Sequence, residues 1–420
     1  MKCSIITCQY AYNYGAVLQA YALCRYMNEQ GVETKVIDYR PSYRLGGSKS
    51  KNPAKLFIRF LIRIPDHIRG ARVFDDFLKR RIPLTKAYGS CEELRIDPPE
   101  SDLYIAGSDQ IWNFDLPNGW DPAFYLDFTG ESACRIAYAA SLSCNELGEK
   151  VRDFLRENLQ NFDRISVRES TGQSLLHSCG IDHAVTAADP VYLLTDQEWR
   201  SMEKAPGRKI GRKYILVMAF NRQGEVFRTG KRLALENGYD VYSVNTYCED
   251  VLRHTDHYFW NCMPEEFLWL VDHAECVVTN SFHGLSFSLI FNRPVLLFEK
   301  NDTGNSRMRD LLTYLEIEDQ VLVKKGDLAS ENMSGPGSTR ESDPVSGKRN
   351  DSTPVEKRNL IRIPVLPYER INGRIARFRE ESMQYLETFI DLAQRSRDMD
   401  KASSNFRIGK VSEAIDLSDF

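Results

Sequence analysis

The stretch Cys276–Lys300, CVVTNSFHGLSFSLIFNRPVLLFEK, limits what this chain can fold into more than any other. Cys276–Thr279 reads as a short buried strand that Asn280-Ser281 breaks. Apolar residues at 282, 285, 289 and 290 then fit a helix of about three turns, which Asn292-Arg293-Pro294 stops before a second strand, Val295–Phe298. With Ser281 as N-cap, His283 falls in the first helical turn, where unpaired N–H groups and the helix dipole favour an anion. An imidazole there is suited to meet phosphate or to pass a proton.

The same rhythm runs through the chain. Cys3–Cys8 reads as a strand, Gly15–Gln30 as a helix closed by Gly31, and Lys35–Asp38 as a second strand. Asn13-Tyr14-Gly15, between strand and helix, is either a ligand contact or a structural turn. The strand Asp102–Ala106 runs into Gly107-Ser108-Asp109-Gln110-Ile111-Trp112-Asn113, at the end of a strand where open α/β sheets place their ligands. Asp109 is therefore a candidate acid, base or hydroxyl anchor; the competing reading makes Ser108 or Asp109 a cap. Arg135–Ser141 is a further strand, and Phe162–Val167 ends in Arg168-Glu169. A guanidinium there suits carboxylate or phosphate, unless it pairs with Glu169 or another acid.

Asp189-Pro190-Val191 closes the first half, and 205–212 looks like a crossing, after which strands at 214–219 and 240–244 and helices at 222–237 and 264–273 restart the pattern. The expected fold class is α/β, with two Rossmann-like domains, 1–204 and 205–325, facing a cleft. Arg307 and Arg309 open a helix ending near Leu315; one is a candidate to face the cleft near His283, and surface salt bridges are the alternative. Residues 326–357 are rich in Ser, Gly, Pro and Asp and read as a disordered insertion; 358–400 read as a helical return across the first domain, and 401–420 as a loose tail.

Composition excludes several classes. With 420 residues and a formal charge of −4, the chain is not a general nucleic-acid binder. The N-terminus has no apolar core for a signal peptide, and no run reaches the roughly 18 apolar residues of a membrane span, so a cytoplasmic protein is expected. Ten cysteines without a CxxC argue for neither a disulfide framework nor a metal site. Arg44–Arg81 holds eleven Lys or Arg against three Asp, interleaved with apolar residues. It reads either as a peripheral contact at the inner membrane face or as a helical excursion packing its apolar side on the domain.

Seven segments in order resemble the polysaccharide pyruvyl transferase family: NYGAVLQAYAL at 13–23, VIDYRP at 36–41, DLYIAGSDQIWN at 102–113, RIAYAASLS at 135–143, ISVRES at 165–170, ADPVYLL at 188–194 and TNSFHG at 279–284. The resemblance implies a fold similar to the two-domain GT-B glycosyltransferases. It also implies phosphoenolpyruvate as donor, a sugar as acceptor and a cyclic pyruvate ketal as product in surface polysaccharide synthesis, without a cofactor. A lipid-linked acceptor would suit a basic segment at the membrane face.

Such a site must hold a carboxylate and a phosphate, supply one proton and take protons from two hydroxyls. The resemblance gives Arg168 the donor's anionic groups and His283 the phosphate. Asp109 is the choice for hydroxyl activation, with Asn13 and Tyr14 on the opposite wall. Gly15, Ser108, Gln110, Trp112, Glu169, Asn280, Ser281, Arg307 and Arg309 complete the substrate-binding candidates. One departure stands out: where the family has arginine two residues before the histidine, this chain has Ser281, so Arg168, Arg307, Arg309 or Lys300 must supply the charge. Two other readings share the same cleft, a GT-B glycosyltransferase using a nucleotide sugar and a non-catalytic partner in glycan assembly.

Overall fold

A computed structural model describes residues 1–45, 68–130, 133–220, 224–245, 249–300, 305–324 and 361–413. Most of the basic stretch, the segment 326–357 and the last seven residues, 414–420, lie outside the described residues.

Among the described residues, thirteen strands form two parallel sheets. The first contains β1 (Lys2–Ile6), β2 (Glu33–Tyr39), β3 (Leu84–Tyr88), β4 (Leu103–Ala106), β5 (Cys134–Ala140), β6 (Arg164–Val167) and β7 (Ala184–Thr186), in the order 3-2-1-4-5-6-7. The second contains β8 (Tyr214–Met218), β9 (Asp240–Asn245), β10 (His257–Trp260), β11 (Cys276–Thr279), β12 (Val295–Phe298) and β13 (Leu322–Val323), in the order 10-9-8-11-12-13. Central strands such as YILVM and CVVT are buried along their whole length, as expected when helices cover both faces of a parallel sheet. The molecule is thus a pair of Rossmann-like α/β domains, as in the GT-B arrangement.

Each sheet reverses its strand order once, between β1 and β4 and between β8 and β11, and such switch points open a crevice at the strands' C-terminal ends. The crevice loops are 7–13 and 107–113 in the first domain, and 219–220 and 280–281 in the second. They position the site.

The domains share packing. The Tyr14 ring stacks on Phe267 at 4.4 Å, and Trp199 meets Phe287 edge-on at 5.1 Å. Phe267 and Phe287 are fully buried, each worth ~1.5–3 kcal/mol of transfer free energy. Ion pairs close the rim: Arg200 Nε lies 2.9 Å from Asp272, and Arg80 and Arg81 each lie 3.3 Å from Glu265. In the helix at 68–81, Phe74, Phe77 and Leu78 are buried and Arg69 donates to the Trp260 carbonyl, so this part of the basic stretch packs between the domains.

Several elements escape the sequence pattern: β3, the helix Cys91–Ile96, the helix Glu249–His254, β10 and β13. All are short, and β3 and β10 are edge strands of mixed burial, so neither shows a clean period. The C-terminal helix runs Tyr368–Glu413, past Asp400, through a sequence with no proline. It returns over the first domain: Ser382 Oγ accepts from Ala188 N at 2.8 Å, and Tyr385 donates to Ala137 O at 3.0 Å. Among the described residues no helix is long and apolar enough to cross a membrane.

Candidate active site

The helix Phe282–Ile290 begins where the sequence places it. Ser281 Oγ accepts from Gly284 N at 3.2 Å, which makes it the N-cap. Asn280 ties the two crevice loops of its domain together, accepting from Phe220 N at 2.7 Å and donating to Phe220 O at 2.9 Å. His283 is thereby aimed across the domain boundary at Gly15, in the first turn of the helix Tyr14–Glu29, whose N-cap is Asn13.

Arg168 leaves the end of β6 and is buried. Its Nη1 donates to Asp189, Nη2 lies 3.7 Å from Asp109 Oδ1, and its guanidinium lies 4.4 Å over the Phe282 ring. Arg307, from the first turn of the helix Ser306–Leu315, lies 5.9 Å over the same ring. The Gln110 amide is 2.8 and 3.0 Å from its Nη1 and Nη2, and the orientation that suits a guanidinium presents the amide oxygen. Burial, and then the charge of Arg168, push the Arg307 pKa down to about 10, so it remains a cation at neutral pH.

Asp189 is the hub of the cluster, and the sequence pattern did not single it out. Fully buried, it accepts from Arg168 and from Ser108 Oγ at 3.2 Å, and it lies 3.6 Å from His283 Nε2. Burial pushes its carboxyl up, but His283 and Arg168 outweigh that and hold it well below the usual range. Its place after a strand, before the Pro190 turn, is the same strand-end signal that marked Asp109.

Asp109 adopts φ 71°, a left-handed conformation rare for a residue with a Cβ, and its carbonyl accepts from Ser141 N at 3.0 Å. Two cavities adjoin this group. One, of about 310 Å³, is lined by Arg168, Asp189, Phe282 and Arg307. The other, of about 270 Å³, is lined by Asp109, Gln110, Asn13 and several aromatic rings.

Not every candidate gathers here. Trp112 is fully buried, donates to Phe124 O at 3.2 Å and stacks on Tyr125, so it belongs to the core. Tyr14 packs into the second domain, with its hydroxyl 3.2 Å from Cys262 Sγ. Glu169 Oε1 accepts from Ser141 Oγ, Leu142 N and Ser143 N at 2.9, 3.0 and 3.1 Å, bracing the loop after β5. Arg309 points outward and pairs with Glu299. Elsewhere Glu203, Asp272 and His273 lie close enough to hold a metal ion, but both Asp272 oxygens are taken by Arg200 and Arg293.

The family model for polysaccharide pyruvyl transferase matches residues 13–301, which carry every element of the site up to His283. The chain belongs to the polysaccharide pyruvyl transferase family. It is thus a member of a transferase family, and the buried Arg307 lies six residues past the matched region.

No curated protein matches the sequence. Among solved structures, the chain is similar to UDP-GlcNAc 2-epimerase from Neisseria meningitidis bound to UDP-GlcNAc, at 11% identity and TM-score 0.44, covering 75% of this chain and 86% of that one. It is similar to the Methanocaldococcus jannaschii UDP-GlcNAc 2-epimerase in complex with UDP-GlcNAc and UDP at 12% identity and TM-score 0.46, covering 77% and 89%. The glycosyltransferase VinC in complex with DTDP aligns at 11% identity and TM-score 0.39, covering 94% and 100%.

Proposed function

We propose that this pyruvyl transferase moves the pyruvyl group of phosphoenolpyruvate onto two hydroxyls of one sugar residue, forming a cyclic ketal in surface polysaccharide synthesis. The observation that carries the reading is the pair Arg168 and Arg307. Both are buried over one phenylalanine ring, and Nε of each, with Nη2 of Arg168, makes no hydrogen bond among the described residues. Asp189 and Asp109 already face Arg168, and the buried donors left over on the two guanidiniums are suited to a further anion. Phosphoenolpyruvate brings a carboxylate and a phosphate, and a guanidinium matches either in bidentate fashion.

The reaction balances with the groups present. A proton adds to the enol methylene, the first hydroxyl bonds to the central carbon, the carbon–oxygen bond to phosphate breaks, and the second hydroxyl closes the ring. The two hydroxyls give up two protons; one replaces the proton taken by the methyl group and the other leaves with phosphate. His283, beside Asp189 and at a helix N-terminus, takes the phosphate and proton-transfer side. Asp109 takes a hydroxyl proton from the other side. The cytoplasmic face of a membrane, with a lipid-linked acceptor, is the setting this reading favours.

The test is incubation with phosphoenolpyruvate and a panel of lipid-linked, nucleotide-linked and free sugars. Phosphate release that needs both substrates, with an acceptor gaining the mass of pyruvic acid less one water, is expected. Sugar transfer from a nucleotide donor, with none from phosphoenolpyruvate, would overturn the reading.

A further inference from the structure

The cavity of about 270 Å³ on the first domain stands apart from the arginine pair. Its walls are the crevice loops after β1, β2 and β4, with Tyr10, Tyr39, Tyr43 and Phe124 supplying ring surface. Its walls are held rigidly. Tyr39 donates to Asp121 Oδ2 at 2.6 Å, Tyr43 donates to the same oxygen, and Tyr10 is fixed by Arg40, whose Nη2 lies 2.8 Å from the Tyr10 hydroxyl. Its polar side is Asn13, Asp109 and Gln110. Aromatic wall residues joined to a few amides and a carboxylate suit a pyranose, which carries C–H groups on its faces and hydroxyls at its edge.

Asp109 links this cavity to the donor group. It lines the tyrosine-walled cavity while its Oδ1 lies 3.7 Å from Arg168 Nη2. Gln110 does the same through its amide beside Arg307. A sugar ring in the cavity would present hydroxyls at Asp109, at the border with the buried cations.

We propose that this cavity is the acceptor subsite, that it takes a single pyranose ring bearing a 1,2- or 1,3-diol, and that Asp109 contacts that diol. The diol restriction follows from the product, because a cyclic ketal of five or six members needs hydroxyls that close together. This rests on the pyruvyl-transfer reading for the identity of the reaction, while the sugar site is testable without it.

Two rim positions allow the test without disturbing the core. Leu116 is 42% exposed and Ala11 is exposed, and they stand on different loops of the rim. Saturation-transfer NMR is run on the full chain, with and without phosphoenolpyruvate, against methyl pyranosides of glucose, galactose, mannose and their 2-acetamido forms. Wild-type protein is expected to transfer saturation to at least one of them. L116W and A11W, each placing an indole over the opening, are expected to weaken that sugar by about tenfold or more. Phosphoenolpyruvate affinity should stay within about twofold, since the donor cations are untouched. No signal from any pyranoside in the wild type, or an unchanged signal in both variants, overturns the subsite. Loss of the sugar signal in both variants, in a protein that never binds phosphoenolpyruvate, supports the sugar site and removes the donor assignment instead.

Discussion

A Cβ built on Gly15 would stand 1.9 Å from Nδ1 of His283 and 2.3 Å from its Cγ, so the two helix N-termini that meet across the domain boundary touch through a glycine. Gly15 does not need an unusual φ; it needs to be small. Gly15→Ala must push the imidazole away from Asp189 or force the domains apart. Transfer activity is expected to fall by about a hundredfold or more, the usual result of misplacing a reacting group by an ångström. Overpacking adds a stability loss of ~1–3 kcal/mol, readable as a lower Tm. Wild-type activity in Gly15→Ala would mean that the ring position carries no chemistry.

Arg307 makes the opposite trade. Its folded-state pKa, pushed down to about 10 from the ordinary 12.5, means that the charged form is less comfortable folded than unfolded at neutral pH. Arg307→Met removes that penalty, so the unliganded variant is expected to melt no lower than wild type. Phosphoenolpyruvate affinity should drop by about tenfold to a hundredfold, the loss of one charge-assisted hydrogen bond of ~1.5–3 kcal/mol. Thermal shift without ligand and a binding titration separate the two effects.

Why Arg307 and not Arg309 faces the site is a matter of helical rotation. The two lie about 200° apart around the axis. Met308, Leu311, Leu312 and Leu315 are buried, and Arg307, one turn before Leu311, rides the edge of that stripe. The stripe was present in the sequence, but spacing alone did not say which domain it packed on. Arg168, Asp109 and His283 were legible because each sits within four residues of the end of an apolar strand. Asp189 sits there too, yet it followed a three-residue strand, AVT, too short to mark the position. Trp112 and Tyr14 were misplaced for one reason: an aromatic residue beside a polar loop looks like a ligand wall until its packing partners, Tyr125 and Phe267, are known.

Glu169 braces the loop after β5 through one carboxylate oxygen. Replacing it by Ala leaves Ser141 Oγ and the backbone N–H groups of Leu142 and Ser143 without their acceptor in a buried loop. Glu169→Ala is expected to cost ~2–4 kcal/mol in chemical denaturation, as several buried donors lose their partner. A loss under about 0.5 kcal/mol, the range of ordinary surface substitutions, would contradict this role.

The domain crossing carries a pH dependence. Burial, and then the charge of Asp272, push Glu203 up to about 7 from the ordinary 4.5. For an acid raised on folding, the stabilising contribution is fully present below pH 4.5 and is lost as pH rises through about 7. Glu203→Gln should therefore leave Tm almost unchanged near the acid end and raise it relative to wild type at about pH 8. Parallel melting curves for the two proteins across this range would reject the assignment.

The most direct measurement is calorimetric titration of the purified chain with phosphoenolpyruvate, which needs no knowledge of the acceptor. One molecule is expected to bind per chain. Arg168→Lys, which keeps the charge but loses the planar fork, should weaken binding by about tenfold or more. Binding of a nucleoside diphosphate with no heat from phosphoenolpyruvate, or undiminished phosphoenolpyruvate binding in both Arg168→Lys and Arg307→Met, would contradict the account.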